Sequence, residues 1–316
     1  MTDNATHAFL FPGQASQAVG MGHDLWERYG TAKTMFAQAD ETLGFPLSKV
    51  CFEGPEEELR RTAVTQPAIF VHSCIAAALL REDGVEPSCA AGHSLGEYSA
   101  LVAAGALDFA VGLELVGRRG RLMQEAGEQS PGAMAAILGL EDEQVVDLCR
   151  EAGAAGTVVA ANFNAPGQLV VSGDAAGVGR LGELAREAGA KRVVPLPVSG
   201  AFHSPLMAAA AETLAEPLRQ AEIRAPRVPV YTNVAAAPVT DAETLRQQLI
   251  EQMTSPVRWT ETVRAVEAAG NGRALEVGPG AVLRGLGRRI APQMEIAAAG
   301  TVADLGKLSD KLSGRG

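Results

Sequence analysis

The sequence predicts an α/β protein: a large domain built on a parallel sheet, with a smaller βαββαβ unit inserted into it. Three observations carry the prediction. Short apolar runs alternate with helix-like segments toward both ends of the chain, the pattern of parallel strands joined by crossover helices. Between about Ala133 and Val198 the order changes to strand, helix, strand, strand, helix, strand, the split-βαβ order of ferredoxin-like units. Finally, Gly92-His93-Ser94-Leu95-Gly96 lies between a short apolar segment and an alanine-rich helix, where a sharp strand-to-helix turn would expose the serine hydroxyl.

In chain order, the apolar run Ala8 to Phe11 reads as a strand ended by Pro12-Gly13, and a glycine-containing loop leads to a helix around Asp24 to Phe36. A helix over Pro67 to Leu80, a short buried strand at Ser88 to Ala91 and a small-residue helix over Gly96 to Leu107 follow, then a helix-like stretch at Leu113 to Ala126. The insertion comprises an apolar run Ala133 to Leu140, a helix Glu141 to Ala152, strands Thr157 to Asn162 and Gln168 to Ser172, a helix Ala175 to Ala188 and a strand Arg192 to Val198. The larger pattern then resumes with a helix near Ser204 to Arg219, a strand Val228 to Asn233 and a helix near Ser255 to Ala269; Ser313 to Gly316 should fray. The expected division is therefore 1–130 with 201–316 as the large domain and 131–200 as the insert.

Composition narrows the function. At 316 residues and 47% hydrophobic content the chain can bury a large core. A formal net charge of -10 argues against a nucleic-acid partner, which would need clustered Lys and Arg. Met1 to Phe11 has no basic region ahead of an apolar stretch, so no secretory signal is expected. Ala68 to Leu80, interrupted by His72 and Ser73, falls short of the roughly 18 apolar residues of a membrane span and reads as a buried helix. The four cysteines are scattered with no CxxC pair, and the five histidines form no HxH or HExxH arrangement. No metal is expected, and reduced thiols fit a cytoplasmic protein.

The five-residue serine pattern alone is weak, because a chain with 35 glycines can produce it by chance. Its context makes Ser94 a candidate nucleophile, with backbone N–H groups at the following helix start available to an oxyanion. A serine hydroxyl needs an imidazole within reach to take its proton. His203 follows a strand and precedes Ser204-Pro205, where Ser204 can cap the next helix with Pro205 in its first turn; spacing alone leaves an idle loop histidine equally open. Among Arg118, Arg119 and Arg121, a solvated face would account for all three. Yet Leu115, Arg119 and Met123 fall at i, i+4 and i+8, so Arg119 points along an apolar stripe.

Gly92-His93-Ser94-Leu95-Gly96-Glu97-Tyr98-Ser99-Ala100 resembles the active-site signature of malonyl-CoA:acyl carrier protein transacylases and of polyketide-synthase acyltransferase domains. Four further segments agree with it: Phe11-Pro12-Gly13-Gln14-Ala15-Ser16-Gln17, Thr65-Gln66-Pro67-Ala68, Val198 to Met207, and Glu276-Val277-Gly278-Pro279-Gly280. The match runs in order through almost the whole chain, whereas an unrelated serine hydrolase would share only the elbow.

The resemblance implies an α/β-hydrolase-like large domain with a nucleophile elbow. It also implies malonyl transfer from coenzyme A through an ester on Ser94 to the phosphopantetheine of an acyl carrier protein, for fatty-acid synthesis. A freestanding polyketide acyltransferase, or a serine thioesterase or hydrolase, is the alternative. By the same resemblance His203 is the base and a backbone carbonyl near Gln252 orients it. Gln14 and the Leu95 N–H hold the oxyanion, Arg119 takes the malonyl carboxylate, and His93, Gln66, Phe202, Met123 and Asn162 line the acyl pocket. Gln66 could equally cap a helix, Asn162 close a strand and His93 pack a turn. Ala15 stands where the family usually has glycine, so the loop is expected to be αR or β there, or shifted, which bears on the aim of Gln14. No tightly bound cofactor, no membrane and no second subunit are expected.

Overall fold

A computed structural model describes residues 7–198 and 200–312. The fraying expected at Ser313 to Gly316, and Ser199 within one of the motifs, lie outside them. The strands, in chain order, are β1 (His7–Phe11), β2 (Pro87–Gly92), β3 (Gly132–Leu138), β4 (Val158–Ala165), β5 (Gln168–Asp174), β6 (Arg192–Pro195), β7 (Val230–Tyr231), β8 (Pro238–Val239), β9 (Arg273–Glu276) and β10 (Glu295–Ala298).

Six of them form one sheet in the order β10-β9-β1-β2-β7-β8, parallel except for the short β7–β8 pair. β1 lies near its centre and is apolar and buried from Ala8 to Phe11, as a parallel strand covered on both faces must be. Its side chains alternate: Phe9 and Phe11 enter one core cluster, Ala8 and Leu10 the other. The first cluster is dominated by helix Thr62–Glu82, which packs on helix Phe109–Gln129. Thr62–Glu82 is long and apolar enough to cross a membrane, but its residues are nearly all buried inside the protein. It is a core helix, as its interruption by His72 and Ser73 suggested.

The remaining four strands form a second sheet, β4-β5-β3-β6, antiparallel throughout. Ala135, Ile137, Leu169 and Val171 face helices Asp142–Ala152 and Ala175–Glu187. Met134, Ala136, Ala161 and Val170 instead join the main core cluster. The second sheet thus presents one face to its own helices and the other to the first unit.

Several boundaries moved for local reasons. The helix expected from Pro67 starts at Thr62, so Pro67 lies inside it and its missing N–H leaves the Ala63 carbonyl without that donor. The helix expected over Asp24 to Phe36 is two, His23–Arg28 and Gly30–Leu43, separated by an extended Tyr29. The strand expected over Arg192 to Val198 stops at Pro195, because Pro195 and Pro197 have no N–H to pair. The helix expected from Ser255 begins at Trp259: Ser255 precedes a proline, and Val257 pairs with β4.

Candidate active site

Ser94 sits between β2 and helix Gly96–Ala103 with a φ of 51°. The turn can form only with glycines at its ends. A Cβ on Gly92 would lie 1.9 Å from the Gly96 carbonyl carbon, and one on Gly96 would lie 2.1 Å from the Phe11 carbonyl oxygen. The bend lifts the Ser94 hydroxyl into a cavity of about 490 Å³ shared by the first loop, the second sheet and helix Val282–Ile290.

His203 meets it from the other side, also in the left-handed region at φ 57°. Its Nε2 lies 2.7 Å from Ser94 Oγ, and its Nδ1 is 3.0 Å from the carbonyl oxygens of both Gln252 and Ser255. Two carbonyl acceptors at Nδ1 favour the tautomer with the proton there, which leaves Nε2 as an acceptor for the serine proton. The following residues form as the sequence indicated: Ser204 Oγ accepts from Leu206 N–H, and Pro205–Met207 opens the next helix as a 3₁₀ turn. Burial and the neighbouring Arg119 charge push the His203 pKa down to about 3, so the ring is neutral.

Arg119 is 1% exposed. Its Nη1 donates to Gln66 Oε1 at 2.7 Å, and its Nη2 donates to Gln252 Oε1 at 3.0 Å and to Ser94 Oγ at 3.1 Å. Its guanidinium lies 5.8 Å from the Tyr98 ring centre, and Nε has no partner among the described residues. Arg118 and Arg121, by contrast, are exposed. Burial pulls the Arg119 pKa down, while Tyr98 and Glu97 pull it back.

Gln14, Leu95, His93, Gln66, Met123, Phe202 and Asn162 all reach the same cavity. No hydrogen bond among the described residues uses the backbone N–H of Gln14 or Leu95, so both are free for a ligand oxygen. The Gln14 side chain is held loosely, its Nε2 3.4 Å from Thr62 Oγ1. Ala15 takes a φ of 85°. That corrects the expectation of an αR, β or shifted loop: the chain keeps a glycine-like conformation and Ala15 bears the strain. Gln66 does not cap a helix; it lies within one, bonded to Arg119 and, through Nε2 at 3.1 Å, to Met123 Sδ. Asn162 does not close β4 but sits inside it beside a bulge, with Oδ1 unpartnered among the described residues. His93 Nε2 pairs with Asn164 Oδ1 at 2.8 Å and its ring stands edge-on to Trp259. Among the described residues no group of three or more His, Cys, Asp or Glu is arranged to hold a metal ion.

A family model of the acyl transferase domain matches residues 8–308. The malonyl CoA-acyl carrier protein transacylase of Bacillus subtilis (strain 168) is 49% identical over 286 residues, 90% of this chain and 90% of that protein. The chain belongs to the malonyl-CoA:acyl carrier protein transacylase family. Solved structures agree with that membership. The acyl carrier protein S-malonyltransferase of Vibrio cholerae superposes with a TM-score of 0.93 at 46% identity, over 96% of this chain and 99% of that one. A malonyl-transacylase in complex with its type II polyketide synthase acyl carrier protein gives 0.93 at 43% identity, over 97% and 99%.

Around the site stand groups that the sequence reading passed over. Asn233 accepts the Ser94 N–H at Oδ1 (2.6 Å) and donates from Nδ2 to the Gly92 carbonyl (2.6 Å), clamping the elbow. The Gln252 side chain, not only its carbonyl, takes part: Nε2 donates to the Ser94 carbonyl at 3.1 Å and to Glu97 Oε2 at 3.0 Å. Glu97 is buried, and burial pushes its carboxyl up to about 7. The signal for Glu97 lay in the signature itself, but an acid in a first helical turn has an ordinary explanation in the helix dipole.

Proposed function

We propose that the chain moves a malonyl group from malonyl-CoA to the phosphopantetheine thiol of an acyl carrier protein through an ester on Ser94. The observation that carries this reading is one oxygen with two neighbours: Ser94 Oγ lies 2.7 Å from His203 Nε2 and 3.1 Å from Arg119 Nη2. In the first half-reaction His203 Nε2 takes the serine proton as Oγ attacks the thioester carbonyl. The oxyanion receives hydrogen bonds from Leu95 N–H and from Gln14, through its backbone or its side chain. The carbon–sulfur bond then breaks, and coenzyme A leaves with the proton from His203. In the second half-reaction the carrier's thiol gives its proton to His203 and attacks the ester, and Ser94 Oγ leaves reprotonated. Arg119 holds the malonyl carboxylate throughout, swinging its donors from Ser94 and Gln252 to the substrate. His93, Gln66, Met123, Phe202 and Asn162 bound the acyl and pantetheine space.

No step requires a tightly bound cofactor. The product is an extender unit, for fatty-acid synthesis in the first instance. A freestanding polyketide acyltransferase is the second reading, favoured by the likeness to a polyketide malonyl-transacylase, and presenting the two classes of carrier in competition separates them. We read 1–130 with 201–316 as one α/β-hydrolase-like domain and 131–200 as a ferredoxin-like insert; the sheet order β4-β5-β3-β6 supports the latter. The protein acts as a monomer in the cytoplasm.

The test is intact-mass detection of the acyl-enzyme after mixing with malonyl-CoA. Ser94→Ala should form none while keeping its fold, and His203→Ala should form it slower by several orders of magnitude. An unchanged mass increment in Ser94→Ala, or release of free malonate in place of carrier acylation by the unmodified enzyme, would overturn the reading.

A further inference from the structure

Glu97 is a buried carboxylate that no step above uses. It follows the elbow at the start of helix Gly96–Ala103, and its Oε2 accepts from Asn233 N–H at 2.9 Å and from Gln252 Nε2 at 3.0 Å. We propose that Glu97 is a positioning residue that fixes the side-chain amide of Gln252, and through it the guanidinium that recognises the acyl carboxylate. This rests on the role given above to Arg119.

The argument is one of donors and acceptors. An amide has two chemically different ends, and which end faces which neighbour is decided by what it must bond. Gln252 Nε2 is turned to two acceptors, Glu97 Oε2 and the Ser94 carbonyl, so Oε1 necessarily faces Arg119 Nη2. If the amide turned over, its N–H groups would face the donors of Arg119, and its oxygen would face no donor on Glu97. The ionised carboxylate, which can only accept, disfavours that arrangement, and the Arg119 donor and the Ser94 carbonyl oppose it as well. Glu97 is also a carboxylate whose charge bears on the buried guanidinium.

Gln252 joins two functions at one residue: its side chain holds Arg119, and its backbone carbonyl accepts from His203 Nδ1. Because the backbone contact survives changes to the side chain, the influence of Glu97 falls first on substrate choice and reaches the base only through the placement of the Arg119 charge. The same carboxylate's bond to Asn233 N–H supports the elbow clamp, and that purely structural duty has to be separated from the positioning one.

A double-mutant cycle makes the separation. Acylation rates with malonyl-CoA and acetyl-CoA are measured by intact mass for the unmodified enzyme, Glu97→Leu, Glu97→Gln, Gln252→Ala and the two double variants, with thermal melts alongside. Glu97→Leu should lower the malonyl-over-acetyl preference at least about tenfold, and Glu97→Gln, which keeps an acceptor but loses the charge, by about threefold. In the Gln252→Ala background, which still offers its carbonyl to His203, either change should shift that preference by less than about twofold. An unchanged preference in a folded Glu97→Leu, or the same shift with and without the Gln252 side chain, overturns the proposal. Should Glu97→Leu fail to fold, Glu97→Gln decides alone: a preference within about 1.5-fold of the unmodified enzyme refutes it. Failure of the unmodified enzyme to form a malonyl ester would instead sink the reading of the site.

Discussion

Arg119 acts on the atoms of the site before any substrate arrives. It donates to Ser94 Oγ, and its charge, after burial, is the second cause of the depressed His203 pKa, with His93 adding a little. A base must be neutral to work, so activity fails as pH falls through its pKa, and a depressed pKa moves that failure to lower pH. Removing the guanidinium removes part of the depression. With acetyl-CoA, which needs no carboxylate partner, the acid limb of kcat/KM should therefore move upward in Arg119→Ala, toward the ordinary histidine value of 6.5. A limb that stays put or moves down would contradict this. On the proposed reading malonyl-CoA itself should suffer badly in the same variant, since its carboxylate would lose the guanidinium that pairs with it. On the proposed reading, Phe202 bears on a different choice. It is buried against the cavity beside His203, and in the proposed acyl pocket its ring would occupy the space of an α-methyl. One methyl is worth about 1 to 3 kcal/mol, so a preference of roughly ten to two hundredfold for malonyl over methylmalonyl is expected. Phe202→Ser should narrow it, and competition between the two thioesters measures both.

At the scale of the elements, the elbow and the first loop contrast in how they tolerate side chains. Gly96→Ala would drive a Cβ into the Phe11 carbonyl, with backbone on both sides and nothing flexible to yield. A loss of more than about 3 kcal/mol in urea unfolding, with loss of acylation, is the expected result. Ala15 already bears a glycine's conformation, so Ala15→Gly should gain roughly 0.5 kcal/mol, the relief of left-handed strain less the entropy that glycine adds to the unfolded chain; a clear loss would speak against strain there. The elements nearest the chemistry were legible because their residues announce themselves: glycines for a bend, Ser204-Pro205 for a helix start, short apolar runs for β3 and β5. Those without such marks were not. β8 pairs over two residues, too short for any periodicity, while β7, inside the strand expected over Val228 to Asn233, is cut to Val230–Tyr231. Strand β10, with the unremarkable sequence Glu-Ile-Ala-Ala, draws its stability from packing rather than pattern, whereas helix Ala242–Gln252 carries a cap signal that went unread: Asp241 Oδ1 accepts from Thr244 N–H at 2.8 Å. Glu97 and Asn233 were missed for a related reason: a buried polar group is recognised by its partners, and those lie far away in sequence.

At the scale of the whole molecule, the question is whether the second sheet can move independently of the first. One strap, residues 252–260, bears on it. Its Gln252 and Ser255 carbonyls accept from His203 Nδ1. Farther along, Val257 N–H donates to the Ala161 carbonyl at 2.8 Å, Phe163 N–H donates to the Val257 carbonyl at 2.9 Å, and Thr260 Oγ1 donates to the Phe163 carbonyl at 3.0 Å. The strap is therefore pinned to β4 and to the histidine at once, while Met134, Ala136, Ala161 and Val170 put the inner face of the second sheet into the main core. A sheet free to open would carry the strap with it and turn the imidazole away from Ser94. Such an arrangement should unfold as one body despite its two sheets and interrupted chain order. Native-state hydrogen exchange checks this amide by amide. Phe163 and Val257, which bond across the strap, should exchange within about tenfold of Val277, whose N–H donates to Leu10 in the central strand. Exchange faster by about a hundredfold at Phe163 and Val257 alone would show that the second sheet opens by itself. The orientation of His203 would then have to be maintained by Ser204 and its own turn rather than by the strap.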